Sequence, residues 1–147
     1  VMFPDFYPAA EEALGDDYRE HRSDAYIAYF VLSATPEMLK DRPDELAGFL
    51  RALLKAEAFI KRNPAGAMKA LAVATEGLLS MEIIKAKFSE AEYEIGLPKG
   101  LLDILEVQAK WVVGKGMVNA EPSRSLIKSY LATGPMEAVD PSRITLD

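Results

Sequence analysis

Proline placement constrains this chain more than any other feature. Proline lacks a backbone N–H and fixes φ, so inside a helix it breaks the ladder. In the first turn that N–H has no partner anyway, and proline is well suited there. Of the nine prolines, Pro8, Pro36, Pro43, Pro64, Pro98, Pro122 and Pro135 stand where a helix can begin. Thr35 and Asn63 directly precede two of them and bring side-chain oxygens suited to capping free amides. A chain punctuated this way reads as a series of helices.

The residues between the prolines agree. From Pro43 to Arg62, Leu46, Phe49, Leu50, Leu53, Leu54 and Ile60 recur at helical spacing, with Asp44 and Glu45 in the first turn and Lys61 and Arg62 in the last, as the helix dipole favours. Asn63-Pro64 starts a second helix carrying Ala67, Met68, Leu71 and Ala72, with Gly77 as a stop. Ser80 caps a short one with Ile83, Ile84 and Phe88. Pro98 to about Lys115 forms a long helix whose apolar stripe reads Leu101, Ile104, Leu105, Trp111 and Val112, ended by Gly114 and Gly116. Pro122 opens another, with Leu126, Ile127, Tyr130 and Leu131.

The first third reads differently. Pro8 to Leu14 is a short helix closed by Gly15, and Tyr18 to His21 has the look of a short strand. Tyr26 to Leu32 is β-branched, aromatic and uncharged, which predicts a strand covered on both faces. With Val1 to Phe3 as the other candidate, the strands expected here are few, short and near the N-terminus. They are too few to complete a sheet on their own.

Composition excludes several classes. Seventeen Lys and Arg against 23 Asp and Glu give a net charge of −6, a poor match for nucleic acid, whose phosphates are bound by Lys and Arg. Zero cysteines leave no disulfide framework, no Cys-ligated zinc and no cysteine nucleophile. The one histidine, His21, lies in a charged stretch, and one histidine with carboxylates is an unlikely zinc set. The longest apolar run, Ala25 to Ala34, is about half of what a membrane span needs. Val1-Met2-Phe3-Pro4 has no basic head leading into an apolar stretch, so an export signal, if used, is expected outside these residues. No metal or cofactor is expected.

Phosphate loops, dinucleotide fingerprints and nucleophile elbows are missing from the sequence. Gly96 and Gly100, around Leu97-Pro98-Lys99, mark a turn into a helix. Glu11-Glu12, Asp16-Asp17 and the pair Glu90 and Glu92 read as solvated faces, and Trp111 as a core anchor rather than a stacking platform. The best candidate site is Phe3-Pro4-Asp5-Phe6-Tyr7-Pro8, three aromatics and a carboxylate at an expected strand-to-helix junction, where α/β folds place ligands. The same residues also fit a hydrophobic staple at a helix start. Tyr26 and Tyr29 admit the same two readings.

Taken in order, several segments resemble the C-terminal part of the substrate-binding proteins of ABC importers, in the group handling nitrate, sulfonates, taurine and thiamine-pyrimidine precursors. The resemblance rests on Pro43-Asp44-Glu45-Leu46-Ala47-Gly48-Phe49-Leu50-Arg51-Ala52-Leu53-Leu54-Lys55-Ala56, then Phe59-Ile60-Lys61-Arg62-Asn63-Pro64, then Ala109-Lys110-Trp111, and finally Gly134-Pro135-Met136-Glu137-Ala138-Val139-Asp140-Pro141-Ser142-Arg143-Ile144-Thr145-Leu146. Upstream, Phe3-Pro4-Asp5-Phe6 with Ala13-Leu14-Gly15 is similar to a segment that family often writes as Trp-Glu-Pro with a later Leu-Gly, Phe3 standing where an acidic residue is common.

The resemblance implies a two-lobed α/β fold of the type II periplasmic-binding-protein kind in the whole protein, with this chain its predominantly helical portion. Residues 1–34 would be the end of the second lobe and the hinge strand returning to the first. Residues 35–147 would be the helical portion packing on the first lobe. It implies solute binding by hinge closure rather than chemistry, with Phe3, Asp5, Phe6 and Tyr7 at the ligand and Tyr26 and Tyr29 near the hinge. The partners implied are a small-molecule solute and an ABC permease, in a periplasmic or extracytoplasmic location. The chain on its own is expected to self-associate through the apolar surface that the first lobe would cover. Two rival readings are an enzyme fragment similar to thiamine-pyrimidine synthases, which use active-site histidines, and an unrelated helical interaction module.

Overall fold

A computed structural model describes residues 7–21, 27–119 and 122–147. In these residues the chain is mostly helical. The helices are α1 (Tyr7–Leu14), α2 (Pro36–Asp41), α3 (Pro43–Arg62), α4 (Pro64–Ala74), α5 (Met81–Phe88), α6 (Lys99–Gly114), α7 (Arg124–Ser129) and α8 (Gly134–Glu137), joined by two short strands, β1 (Leu97–Pro98) and β2 (Ile144–Thr145).

Proline and capping chemistry place the helix starts. Pro36, Pro43 and Pro64 are each the first residue of a helix, and Pro8 and Pro135 are each the second. Thr35 Oγ1 accepts from the Met38 amide at 3.2 Å, and Asn63 Oδ1 from the Gly66 amide at 2.9 Å. Ser80 and Ser123 do the same for Ile83 and Leu126, both at 3.2 Å. Each bond satisfies a first-turn donor that has no carbonyl to reach. Pro98 sits one step outside, as the residue before α6, and Pro122 one step before the Ser123 cap. Gly77 and Gly116, past the ends of α4 and α6, have φ of 83° and 68°, the left-handed turn that glycine adopts without a Cβ penalty.

The chain divides into two compact units. The first holds Val1–Tyr26 and Ala58–Tyr93. Here α4 packs on α5, with Ala67 and Ile84 as its buried apolar residues. Phe88 and Tyr93 stack with ring centroids 4.9 Å apart. The second unit holds Ile27–Glu57 and Glu94–Asp147. Its core is Leu102, Ile127 and Leu146, packed round by Leu97, Leu105, Ala109, Leu131 and Ile144. Here α6 packs on α7. β1 and β2 pair in parallel, Leu97 opposite Ile144 and Pro98 opposite Thr145.

Three expectations need correction. Among the described residues the strands lie at 97–98 and 144–145, not near the N-terminus, and Tyr18 to His21 forms no strand. Val1 to Phe3 lies outside the described residues. The uncharged run expected to be buried on both faces forms no strand over 27–34 and is open to solvent: Phe30 is 92% exposed and Leu32 64%. Its composition suits a sheet, but among the described residues no strand lies beside it to take its amides and carbonyls. Trp111, expected in the core, is 56% exposed. Trp111 is nine residues beyond Leu102, about 180° round the helix from the residue that anchors the core.

Candidate functional site

The most constructed polar arrangement lies in the second unit and centres on Glu57. This carboxylate, near the C-terminal part of α3, is only 4% exposed and is the buried charged residue among those described. A buried carboxylate is stable only when paired and hydrogen-bonded. Arg143 supplies the pairing: its Nη1 lies 3.0 Å from both Glu57 Oε1 and Oε2. The Ile95 amide donates to Oε2 at 2.9 Å, and Arg143 Nη1 also donates to the Ile95 carbonyl at 3.3 Å. Three segments far apart in sequence therefore meet at one carboxylate.

The surroundings complete the clasp. Arg143 Nε is 3.4 Å from Asp140 Oδ2, and Glu94 is 4.0 Å from Nη1. The Glu57 carboxylate raises the basicity of Arg143 further, chiefly through its hydrogen bond. The Ser142 hydroxyl, donating to Asp140 at 2.6 Å, holds that carboxyl below the ordinary aspartate range. Gly96 makes the approach possible, because a Cβ there would lie 2.8 Å from the Arg143 carbonyl oxygen. The chain next to it is the parallel pair of β1 and β2. Chemically the clasp is a closed structural tie. The carboxylate is fully engaged, and no buried side-chain nitrogen or oxygen among the described residues lacks a partner.

A second arrangement runs along α6 and α7. Arg124 bridges Asp103 at 2.9 Å and also contacts Glu106, while Lys99 reaches Asp103 at 2.7 Å. Lys99 first, and then Arg124, hold the Asp103 carboxyl below its usual range. Beyond α7, an open depression of about 520 Å³ is lined by Lys128, Thr133, Glu137, Ile144, Thr145, Leu146 and Asp147, with Lys128 and Asp147 ion-paired to each other.

Of the residues expected at the ligand and the hinge, Tyr7 and Tyr29 are described, each in a different unit. Phe3, Asp5, Phe6 and Tyr26 lie outside the described residues. Tyr7, in the first unit, opens α1, and Lys87 Nζ lies 5.1 Å from its ring centroid, which is cation–π distance. Tyr29, in the second unit, is half-buried with its hydroxyl against Gly100, so the backbone at the start of α6 is approached more closely than a Cβ would allow. His21 is exposed. Among the described residues no three His, Asp or Glu are grouped to hold a metal, and no helix is long and apolar enough to cross a membrane.

Sequence reasoning missed Glu57 and Arg143 as a pair. One signal was available: Glu57 falls on α3 between Leu53, Leu54 and Ile60, a charged residue set in an apolar stripe. No family model, curated protein or solved structure matches the chain.

Proposed function

We propose that the chain is the C-terminal portion of a solute-binding protein of an ABC importer, working outside the cytoplasm and closing on a small organic or anionic solute by hinge motion. The reading gives the chain no chemistry of its own; ligand favours the closed state by binding it better than the open one. Its support is the order of segments from Pro43 to Leu146, and one observation carries it. β1 and β2 pair in parallel, and the chain between them runs through α6, α7 and α8. Parallel strands linked by helices are the building unit of the α/β folds to which such proteins belong.

On this reading Phe3, Asp5, Phe6 and Tyr7 line the solute, Tyr26 and Tyr29 lie near the hinge, and a permease is the protein partner. Asp5, Glu11 and Glu12 make this stretch of the sequence negative, so a neutral or cationic group suits a site holding Asp5 better than an anion. The test is a thermal-shift screen of a sulfonate and an amine-bearing pyrimidine on the protein carrying both lobes, since a ligand of the native state raises its melting temperature. A shift with the pyrimidine that is lost in Asp5→Asn supports the reading. Tight sulfonate binding that weakens in Phe6→Ala contradicts the charge assignment, and no shift with either class contradicts solute binding.

A second reading, a helical interaction module, is favoured by a separate observation. Phe30, Tyr130 and Trp111 are 92%, 78% and 56% exposed, aromatic surface of the kind that protein partners cover.

A further inference from the structure

Every residue of the Glu57–Arg143 clasp belongs to the second unit, and the clasp stands where the chain leaves that unit and where it returns. The unit holds Ile27–Glu57 and resumes at Glu94, so Glu57 is its last residue before the excursion through α4 and α5. Ile95, whose amide donates to Glu57 Oε2 at 2.9 Å, lies 38 positions further on, directly after the return. Arg143 closes over both. Its Nη1 is 3.0 Å from each Glu57 carboxylate oxygen and donates to the Ile95 carbonyl at 3.3 Å. The backbone is pinned on either side of the gap, Glu57 within α3 and Gly96 so close to Arg143 that a Cβ would lie 2.8 Å from its carbonyl oxygen. The two ends of the excursion are tied to each other by contacts that use none of the residues between them.

What lies between is held lightly. Among the described residues of 58–93 the buried apolar side chains are Ala67 and Ile84, whereas the second unit buries Ala47, Leu101, Leu102, Ile127, Met136 and Leu146. Glu76, in the turn after α4, has a φ of 50°, a left-handed conformation that costs energy in a residue with a Cβ. Segments with few buried apolar contacts open at lower free energy than a core does. The entropy of closing a loop is set at its ends, and here the clasp fixes the ends, so 58–93 can open without breaking a contact inside the second unit. We propose that the clasp is the neck of a separately opening segment: residues 58–93 unfold and re-form as one unit while the second unit stays folded, and Arg143 confines the opening. The opening takes the Lys87–Tyr7 contact with it. The device gives the chain a segment that changes conformation without disturbing the core around Leu102, and it is independent of solute binding.

Native-state hydrogen exchange of the full chain, in urea below the global midpoint, tests it. The α4 and α5 amides are expected to exchange through one shared opening, with protection roughly 100-fold or more below that of the α6 amides around Leu102. Ile84→Ala should lower α4 and α5 protection by about 30-fold, the equivalent of a mild core truncation, and leave α6 and the Ile95 amide within about 2-fold. In an Arg143→Met chain the same Ile84→Ala change should also lower α6 protection, by roughly 10-fold, because nothing then stops the opening at the neck. An arginine that merely stabilises the second unit would lower α6 protection without making it depend on Ile84. Should Arg143→Met not fold, Glu57→Gln takes its place, keeping an acceptor for the Ile95 amide while losing the ion pair. Exchange of the α4 and α5 amides only together with α6 overturns the proposal, as does an Ile84→Ala effect on α6 equal to that on α4 with the clasp intact. An Ile84→Ala effect still confined to 58–93 once the clasp is broken overturns the role given to Arg143.

Discussion

The two compact units are held by different kinds of contact. In the unit of Val1–Tyr26 and Ala58–Tyr93, α4 packs on α5, Asn63 and Ser80 cap the adjacent helices and Phe88 stacks on Tyr93 five residues away, contacts between near neighbours, with Lys87 over the Tyr7 ring as a long-range exception. In the unit of Ile27–Glu57 and Glu94–Asp147, contacts span long stretches of chain. Arg143 reaches Glu57 across 86 residues, and Leu146 closes on Leu102 and Ile127. Local contacts fix helix ends cheaply in loop entropy, whereas long-range ones cost more to close and return it through burial. Truncations and point changes near the C-terminus are therefore expected to unsettle the second unit as a whole, and changes in α4 or α5 to act locally.

The largest effect tests the long-range core. Leu102 is 1% exposed at the centre of the cluster, and Leu102→Ala is expected to cost about 3–4 kcal/mol in chemical denaturation, the range for a large cavity in a packed core. A loss under 1 kcal/mol would mean that this cluster is not the core. Next is Arg143→Met, which leaves Glu57 buried without its cation and is expected to cost about 3 kcal/mol. The double variant Glu57→Gln with Arg143→Met should recover part of that loss, because it removes the orphaned charge as well. Gly96→Ala comes after these at about 1–3 kcal/mol, since its Cβ would press on the Arg143 carbonyl, a backbone atom that cannot swing aside. In the local unit Asn63→Ala should cost about 1 kcal/mol, the worth of one helix cap.

The smallest effect is a pH profile. Asp103, Asp140 and Asp147 are each held below the ordinary aspartate range, by Lys99 and Arg124, by Ser142 with Arg143, and by Lys128 respectively. A carboxyl depressed in the folded state contributes stability above its unfolded value of about 3.9 and loses it as pH falls through the lower folded value. Urea midpoints should therefore be level from pH 8 to 5 and decline below pH 4. A midpoint that rises on acidification would contradict these pairings.

The sequence carried the helices well because their signals are local. Pro43 and Arg62 bound α3 where proline and charge predict, and Ser80 starts α5 as a cap should. The strands were illegible for a physical reason. β1 is two residues long and includes Pro98, which argues against a strand, and its partner lies 47 positions away, where only folding brings Ile144 alongside Leu97. Trp111 misled because the stripe Leu101, Ile104, Leu105, Trp111 and Val112 is wider than the face that is buried. Leu102 and Ala109, small departures from that pattern, lie on the core side instead. Glu57 went without a reading in the sequence, since its burial depends on an arginine 86 residues later. Of the expected ligand residues Tyr7 is described, and of the expected hinge residues Tyr29, each in its own unit, and neither contact was foreseeable from neighbours in sequence.

Hydrogen exchange at the Ile95 amide tests the long-range account most directly. This donor sits in an irregular segment and would exchange within seconds if solvated, but it is bonded to a buried carboxylate that Arg143 neutralises. Its protection should match that of the α6 amides around Leu102, and should fall at least 100-fold in Arg143→Met. Exchange as fast as that of the Ile27–Leu32 amides, which bond to no described backbone carbonyl, would show in wild type that the clasp does not hold the unit together.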